Sequence, residues 1–279
     1  MEVVEKLESL RLARSRLRSS VGLVPTMGFL HDGHLSLVRR ARQENSSVVV
    51  SIFVNPTQFG PNEDLAAYPR DLPTDLHLLE TEGVDLVWAP APEIVYPLNY
   101  QTWVTVETIT KSLEGQYRPG HFRGVATVVA KLFNATKPER AYFGQKDAQQ
   151  VAVIRRMVKD LNFDLEVIVC PIVREPDGLA MSSRNVNLSP AERQAATVLF
   201  RSLSAATSAF VNGVRDAGML REKMKENMQP EPLINPQYLS CADPDTLQEL
   251  EGEVSGQALL SMAVFIGKTR LIDNMLIGE

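Results

Sequence analysis

The chain has 279 residues, of which 44% are hydrophobic and 23% charged, and this balance is ordinary for a folded globular protein. Its formal net charge of -5 at pH 7 argues against broad nucleic-acid binding, which a basic surface normally supports. No apolar run reaches the roughly 18 residues of a transmembrane helix, and the charged amino-terminal segment is unlike a signal peptide. We therefore expect a cytoplasmic protein that binds neither nucleic acid nor membrane.

Short apolar runs alternate with longer amphipathic segments along the first two-thirds of the chain. The opening apolar residues, from Val3 to Leu10, have the spacing of an amphipathic helix. Predicted strands follow at 21–24, 48–54, 84–88, 140–143 and 165–173, and predicted helices lie between them at 35–42, 72–82, 125–135 and 148–161. This alternation predicts an α/β fold with a Rossmann-like, doubly wound parallel sheet.

Near residue 175 the alternating apolar segments give way to a polar stretch with proline and glycine. We predict a domain boundary there, between 1–175 and 176–279. The second segment is rich in predicted helix over 191–228 and in proline over 229–236. Strands are then predicted at 238–242 and 258–266, with 270–275 as a candidate for another. These elements predict a smaller α+β domain. The two cysteines, Cys170 and Cys241, have no zinc-type spacing and are typical of reduced structural thiols.

The residues that follow the predicted strand at 21–24 form the strongest motif of the sequence. Gly28 and Gly33 permit tight turns, and His31 and His34 lie where the next helix begins. A helix amino terminus binds anions, so two imidazoles there predict a phosphate site. The alternative is a metal site in which Asp32 joins the two histidines.

Polar residues also follow the other predicted strands, and carboxyl ends of parallel strands meet at one edge of a sheet. Asn55 and Gln58 follow the second strand and supply two amides, although Asn55-Pro56 alone is a common turn. Lys146 and Asp147 follow a later strand, where a cation suits a triphosphate and a carboxylate suits a helix cap or a ribose hydroxyl.

Three loops complete the candidate site. The segment 181–184, Met-Ser-Ser-Arg, offers hydroxyls and a guanidinium close to the predicted domain boundary, although a polar turn is the simpler explanation of such a segment. The polar segment 60–74 is a hypothetical lid, and 118–124 adds further cations.

Taken together, these motifs resemble those of the pantothenate synthetase family, in the superfamily of HIGH-motif nucleotidyltransferases. The resemblance rests on the segments 25–28, 31–34, 53–59, 118–124, 143–147 and 181–184, and more loosely on 270–274. Gln145 departs from the glutamate that the family pattern leads us to expect.

The resemblance implies that ATP and Mg²⁺ are used to join pantoate and β-alanine through a pantoyl adenylate, with release of pyrophosphate and AMP. It implies a homodimer, an ATP- and pantoate-binding domain over 1–175 and a lid domain over 176–279. It implies four catalytic residues, His31, His34, Lys146 and Arg184. The implied ATP contacts are Pro25, Thr26, Met27, Gly28, His31, Gly33, His34, Gly144, Lys146, Asp147, Val173, Met181, Ser182, Ser183 and Arg184. The implied contacts of pantoate and β-alanine are Met27, Asn55, Gln58 and Gln150, and no metal ligand is assigned.

A nucleotidyltransferase of the same fold, acting on a phosphorylated acceptor, shares the histidine motif and is the alternative function. A nucleotide-binding regulator without turnover is a second alternative. The residue types favour carboxylate activation, which needs charge neutralisation and positioning more than an enzymic nucleophile.

Overall fold

The computed structural model describes residues 1–61, 63 and 65–278, and within this part of the chain the strands form two sheets. The large sheet consists of β1 (Glu2–Val4), β2 (Val21–Thr26), β3 (Ser47–Ile52), β4 (Leu86–Trp88), β5 (Arg140–Gly144) and β6 (Glu166–Cys170). The small sheet consists of β7 (Ile234–Ala242), β8 (Ala258–Ile266) and β9 (Thr269–Ile277). The large sheet is parallel and the small one antiparallel. The predicted fold class is thereby confirmed.

Helices connect and cover the strands of both sheets. In chain order they are α1 (Leu7–Ser15), α2 (Asp32–Glu44), α3 (Leu72–Thr81), α4 (Pro92–Val95), α5 (Glu114–Tyr117), α6 (His121–Thr136), α7 (Ala148–Asp160), α8 (Pro190–Ala196), α9 (Val198–Val211) and α10 (Ala217–Met228). Short 3-10 turns lie at Pro56–Gln58, Gln145–Asp147 and Ser183–Asn187. Among the described helices, none combines the length and the apolar character needed to cross a bilayer.

The large sheet is buried on both faces, as its continuous apolar strands require. One face packs against α1, α6 and α7 through residues such as Leu10, Val125 and Ile154. The other face packs against α2 and α3, where Val38 and Leu79 are buried. Removing these side chains from water on both faces provides the main driving force for this layer arrangement.

The order of the strands creates a switch point in the large sheet. The strands run β1-β4-β3-β2-β5-β6, so the chain moves outward from β2 through β3 to β4 and then returns to place β5 on the other side of β2. Ligands of open α/β sheets bind outside the carboxyl ends of strands at such a point. The segments that follow β2 and β5 are therefore the expected walls of a binding site.

The amino-terminal prediction is partly wrong. Residues 2–4 form β1, in which Val3 pairs with Val87 and Val4 with Trp88, and the helix begins only at Leu7. A strand of three residues is too short to display an alternating pattern, so its valines merge with the apolar periodicity of α1.

The strand predicted at 238–242 also begins earlier in the structure than the sequence indicated. β7 begins at Ile234 and includes Pro236, within a stretch that we predicted to precede the strand. Proline lacks an N–H, but β7 lies at an edge of the small sheet and has an irregular register between Pro236 and Tyr238. The boundary near residue 175 stays a prediction, and an ion pair between the partly buried Arg174 and the buried Asp273 crosses it.

Candidate active site

A cleft with a volume of about 230 Å³ opens at the carboxyl edge of the large sheet, around the switch point. Except for Gly28, all of the residues that the sequence assigned to a site lie on its wall. They are Pro25, Thr26, Met27, His31, Gly33, His34, Asn55, Gln58, Gly144, Lys146, Asp147, Gln150, Val173, Met181, Ser182, Ser183 and Arg184. The structure thus brings together segments from β2, β3, β5 and the loop after β6, and their individual roles stay predictions.

In the segment 27–34, here called the histidine turn, short-range contacts with the backbone orient the two imidazoles. His31 is the N-cap of α2, and its Nδ1 accepts a hydrogen bond from the Gly33 N–H at 3.1 Å. The Nδ1 of His34 accepts from the His31 N–H at 3.4 Å, which completes a reciprocal cap. A side chain at position 33 would lie 2.8 Å from the His31 ring, so the glycine allows the ring to fold back over the helix end.

These contacts determine the protonation of both imidazoles. Since each Nδ1 accepts a hydrogen bond, each neutral ring carries its proton on Nε2 and is a donor there. Burial, and secondly the charge of Lys146, lowers the pKa of His31 to about 4. Burial, followed by the neighbouring His31 and Lys146, lowers the pKa of His34 to about 3. The pair is therefore neutral at pH 7, with ring centroids 4.0 Å apart.

Gly28 shapes the histidine turn and is not among the residues that line the cleft, and its contact with ATP stays a prediction. Its φ of +81° belongs to the left-handed region, and an added Cβ would lie 2.9 Å from a carboxylate oxygen of Asp75. That buried carboxylate accepts the N–H groups of Phe29 and Leu30 at 2.8 and 2.7 Å. Asp75 comes from α3, and the sequence contained no local signal for this contact.

Across the switch point, residues 144–147 form the lysine loop, a 3-10 turn after β5. The side chain of Asn274, which is buried in β9, donates to the carbonyls of Gln145 and Lys146 at 3.0 and 2.9 Å. Its Oδ1 accepts from Nε2 of Gln145 at 3.1 Å. The residue that departs from the family pattern thus binds the small sheet, and the lysine loop is held by a distant strand.

Asp147 occupies the N-cap position of α7, but within the described structure its side chain makes no capping hydrogen bond. The predicted capping role is therefore wrong, because the turn directs this carboxylate to the wall of the cleft instead. The ribose contact stays a prediction.

The loop after β6 closes a third side of the cleft. The N–H of Met181 donates to the carbonyl of Val173 at 3.0 Å, which brings the two ends of the loop together. The hydroxyl of Ser183 donates to the carbonyl of Phe29 at 3.3 Å. This contact links the loop directly to the histidine turn, so Ser182 and Arg184 are held beside the imidazoles.

Sequence reasoning missed much of the fourth side. The apolar residues Val128, Val129 and Leu132 of α6 line the cleft, but valines and leucines in a helix carry no chemical signal. Arg118 and His121 also line this side, and the sequence indicated them only as part of the cationic segment 118–124 on which the resemblance partly rests. The Nδ1–H of His121 donates to the Gln58 carbonyl at 2.8 Å, and burial lowers its pKa to about 4.

The predicted lid over 60–74 lies partly outside the described residues, at positions 62 and 64. Of the described part, Tyr68 is buried and lines the cleft, and Glu63 pairs with Arg118 at 2.7 Å. The segment therefore covers one end of the cleft in this conformation, and its movement stays a prediction.

The alternative of a metal site does not fit the geometry. Both Nδ1 atoms accept backbone N–H groups, and Asp32 faces Arg39 at 3.4 Å on the surface. Within residues 1–61, 63 and 65–278, no group of three or more histidine, cysteine or carboxylate side chains is placed to hold a metal ion.

A parallel sheet with a helix amino terminus, imidazole donors and a lysine around its switch point is typical of α/β enzymes that bind nucleotides by their phosphates. Comparison with known proteins identifies the particular family. The family model described as pantoate-beta-alanine ligase matches residues 2–276. The chain belongs to this family, and it is accordingly a ligase of pantothenate biosynthesis.

Individual relatives agree over their whole lengths. The pantothenate synthetase of Roseiflexus castenholzii is 61% identical over 277 residues, which cover 99% of both chains. The crystal structure of pantothenate synthetase from Thermus thermophilus has a TM-score of 0.94 and 49% identity, with 99% of each chain covered. Pantoate-beta-alanine ligase from Francisella tularensis, crystallised with beta-gamma ATP and beta-alanine, has a TM-score of 0.81 and 37% identity, with 99% and 97% covered. The resemblance noted from the motifs is confirmed.

Proposed function

We propose that the cleft binds ATP and pantoate together and activates the acid as pantoyl adenylate. A carboxylate oxygen of pantoate attacks the α-phosphorus of ATP, the bond to the β-phosphate oxygen breaks, and pyrophosphate leaves. The amine of β-alanine then attacks the acyl carbon, loses a proton and displaces AMP. The Francisella relative, crystallised with beta-gamma ATP and beta-alanine, supports these two ligands for this chain.

The observation that carries the proposal is the neutral histidine pair at the amino terminus of α2, opposite Lys146 across the switch point. Two Nε2–H donors, a helix end and a cation line the same cleft, and in this proposal they stabilise the negative charge that develops on departing pyrophosphate. Ser182, Ser183 and Arg184 extend this surface and suit further phosphate oxygens.

The acid occupies the other half of the cleft in this proposal. Asn55 and Gln58, here called the amide pair, and Gln150 present groups that bind carboxylates and hydroxyls without titrating. The apolar residues of α6 beside them suit the hydrocarbon part of a small branched acid.

Mg²⁺ enters with ATP in this proposal. Magnesium prefers oxygen ligands and retains several waters, so one or two carboxylates beside substrate phosphates suffice. Asp147 is a carboxylate on the described wall and fits this requirement. The ion would neutralise phosphate charge, while the imidazoles and Lys146 orient the triphosphate.

The decisive experiment is exchange of labelled pyrophosphate into ATP without β-alanine. If the adenylate forms reversibly, exchange depends on pantoate and Mg²⁺, and little AMP appears in solution until β-alanine is added. Exchange independent of pantoate would refute adenylation of this acid. Transfer of AMP to a phosphorylated acceptor would favour the nucleotidyltransferase instead, and ATP binding without exchange would favour the regulator.

We also propose a cytoplasmic homodimer. Residues 101–107 lie outside the assigned strands, with exposed positions alternating with the partly buried Val104 and Val106. Such an alternation is typical of a half-buried strand, and a strand without a neighbour can pair with the same segment of a second chain. Sedimentation equilibrium at micromolar concentration should give twice the chain mass, and a monomer would contradict the proposal.

A further inference from the structure

The amide pair belongs to a buried network whose hydrogen-bond directions follow from a single carbonyl. Asn55 is 1% exposed, and its Nδ2 lies 3.2 Å from the Gly124 carbonyl and 3.0 Å from Gln58 Oε1. A carbonyl only accepts hydrogen bonds, so the atom facing Gly124 is the amide nitrogen. The same nitrogen donates to Oε1 of Gln58.

The direction of the hydrogen bond from Asn55 to Gln58 determines which group of the Gln58 amide is free to face the cleft. Its Oε1 is occupied by Asn55, and its Nε2 lies 3.2 Å from the Met27 sulfur. A thioether is a weak acceptor, so the Nε2 donor retains most of its capacity for a stronger acceptor such as a carboxylate. Met27 and Gln58 both line the cleft, and the donor is therefore directed toward the proposed acid.

Two hydroxyls hold the opposite end of the Asn55 amide. Its Oδ1 accepts from the Thr57 hydroxyl at 2.9 Å and from the Tyr96 hydroxyl at 3.0 Å. Tyr96 comes from the end of α4, where its ring packs against Tyr100 and Trp103, with centroids 5.1 and 6.1 Å away. The described cleft wall includes neither Thr57 nor Tyr96, so both act through Asn55.

We propose that Tyr96, with Thr57, is a positioning residue that sets the specificity of the acid site by fixing the Asn55 amide and thereby the donor of Gln58. The inference rests on the proposed function, in which Gln58 binds the acid. If both hydroxyls are removed, the buried Oδ1 of Asn55 loses its donors. A buried acceptor without a partner is costly, so the amide rotates and the orientation of Gln58 is lost.

The test is a double-mutant cycle of Thr57→Val and Tyr96→Phe, with KM for pantoate, KM for ATP and kcat measured for each variant. Each single change leaves one donor on Asn55 and should raise the KM for pantoate about threefold, the effect of one neutral hydrogen bond. The double variant should raise it by about thirtyfold or more, beyond the product of the single effects, because the two residues share one acceptor. The KM for ATP should stay within about twofold.

The controls separate hydroxyl loss from a disturbed aromatic cluster. Tyr100→Phe removes a hydroxyl from the same cluster and should leave the KM for pantoate unchanged. In the Tyr96→Phe background, Thr57→Ser retains a donor and should behave as Tyr96→Phe alone. Equal increases of the KM values for pantoate and ATP in the double variant would overturn the positioning role, as a general disturbance of the fold would produce them.

Gln58→Leu distinguishes failure of this inference from failure of the proposed acid site. If it raises the KM for pantoate while the double variant does not, the positioning role is wrong and the acid site stands. If it leaves the KM for pantoate unchanged, the acid site itself is wrong, and the inference falls with it.

Discussion

The histidine turn and the lysine loop occupy equivalent positions after neighbouring strands, but they are held in different ways. The imidazoles of the turn are oriented by backbone N–H groups within three residues along the chain. The lysine loop depends on Asn274, which lies 128 residues beyond Lys146. The orientation of the imidazoles on one wall of the cleft, the local wall, is thus set by neighbouring residues, whereas the other wall depends on the docking of the small sheet. Damage to the small sheet should therefore affect Lys146 and spare the histidines.

Among the proposed substitutions, His34→Ala should have the largest effect, because it removes one imidazole donor from the local wall. We expect kcat to fall by about a hundredfold or more, the effect of removing one preorganised donor from a transition state. Since the turn keeps its other backbone contacts, the urea midpoint of unfolding should change little.

His77→Ala, at an exposed histidine of α3, is the matched control and should retain full activity. His34→Gln offers an amide donor and should recover part of the loss. A folded His34→Ala enzyme with near-normal turnover would remove His34 from the mechanism.

Lys146→Ala tests the opposite wall. A hydrogen bond to a charged group contributes about 1.5–3 kcal/mol, so kcat/KM for ATP should fall by about ten- to a hundredfold. Lys268→Ala, in the exposed β8–β9 turn, is the control. Unchanged kinetics of Lys146→Ala would mean that this ammonium group is only a solvated surface charge.

Asn274→Ala removes the hydrogen bonds that hold the lysine loop, and Asn274 is not among the residues that line the cleft. The Gln145 and Lys146 carbonyls lose their donor, and we expect kcat/KM for ATP to fall by about tenfold through displacement of Lys146. Combined with Lys146→Ala, the change should add little, because both act on the same contact. Asn227→Ala, whose amide bonds within α10, should be neutral. Fully additive losses would show that Asn274 acts elsewhere.

The smallest effect on activity is expected from lowering the pH. The pKa values of about 4 and 3 keep His31 and His34 neutral well below the ordinary histidine pKa of 6.5. The rate of pantoate-dependent pyrophosphate exchange should thus change less than about twofold between pH 7.5 and 5.5. A step near pH 6.5 that disappears in His34→Gln would contradict the local wall as described.

Stability should respond to the same titration in a defined direction. In the unfolded chain His31, His34 and His121 take up protons near pH 6.5, whereas in the folded chain burial lowers their pKa values to about 4, 3 and 4. The free energy of unfolding should therefore decrease as the pH falls through this window.

The sequence predicted the fold class and the cleft because both depend on short-range patterns. His31, Gly33 and His34 lie within four residues, and the strand-end rule located Lys146 at the same edge of the sheet. What it did not predict depends on contacts between distant residues. Asp75 explains why Gly28 serves the turn, and no local pattern links the two.

The tie between Asn274 and the lysine loop has a consequence for how the enzyme is made. All strands of the large sheet precede residue 171, so this sheet can assemble while the rest of the chain is still on the ribosome. Asn274, which holds the lysine loop, lies in β9, far beyond these strands along the chain. A chain synthesised only as far as residue 171 therefore contains every residue of the large sheet and of the histidine turn, but it lacks the side chain that holds the lysine loop.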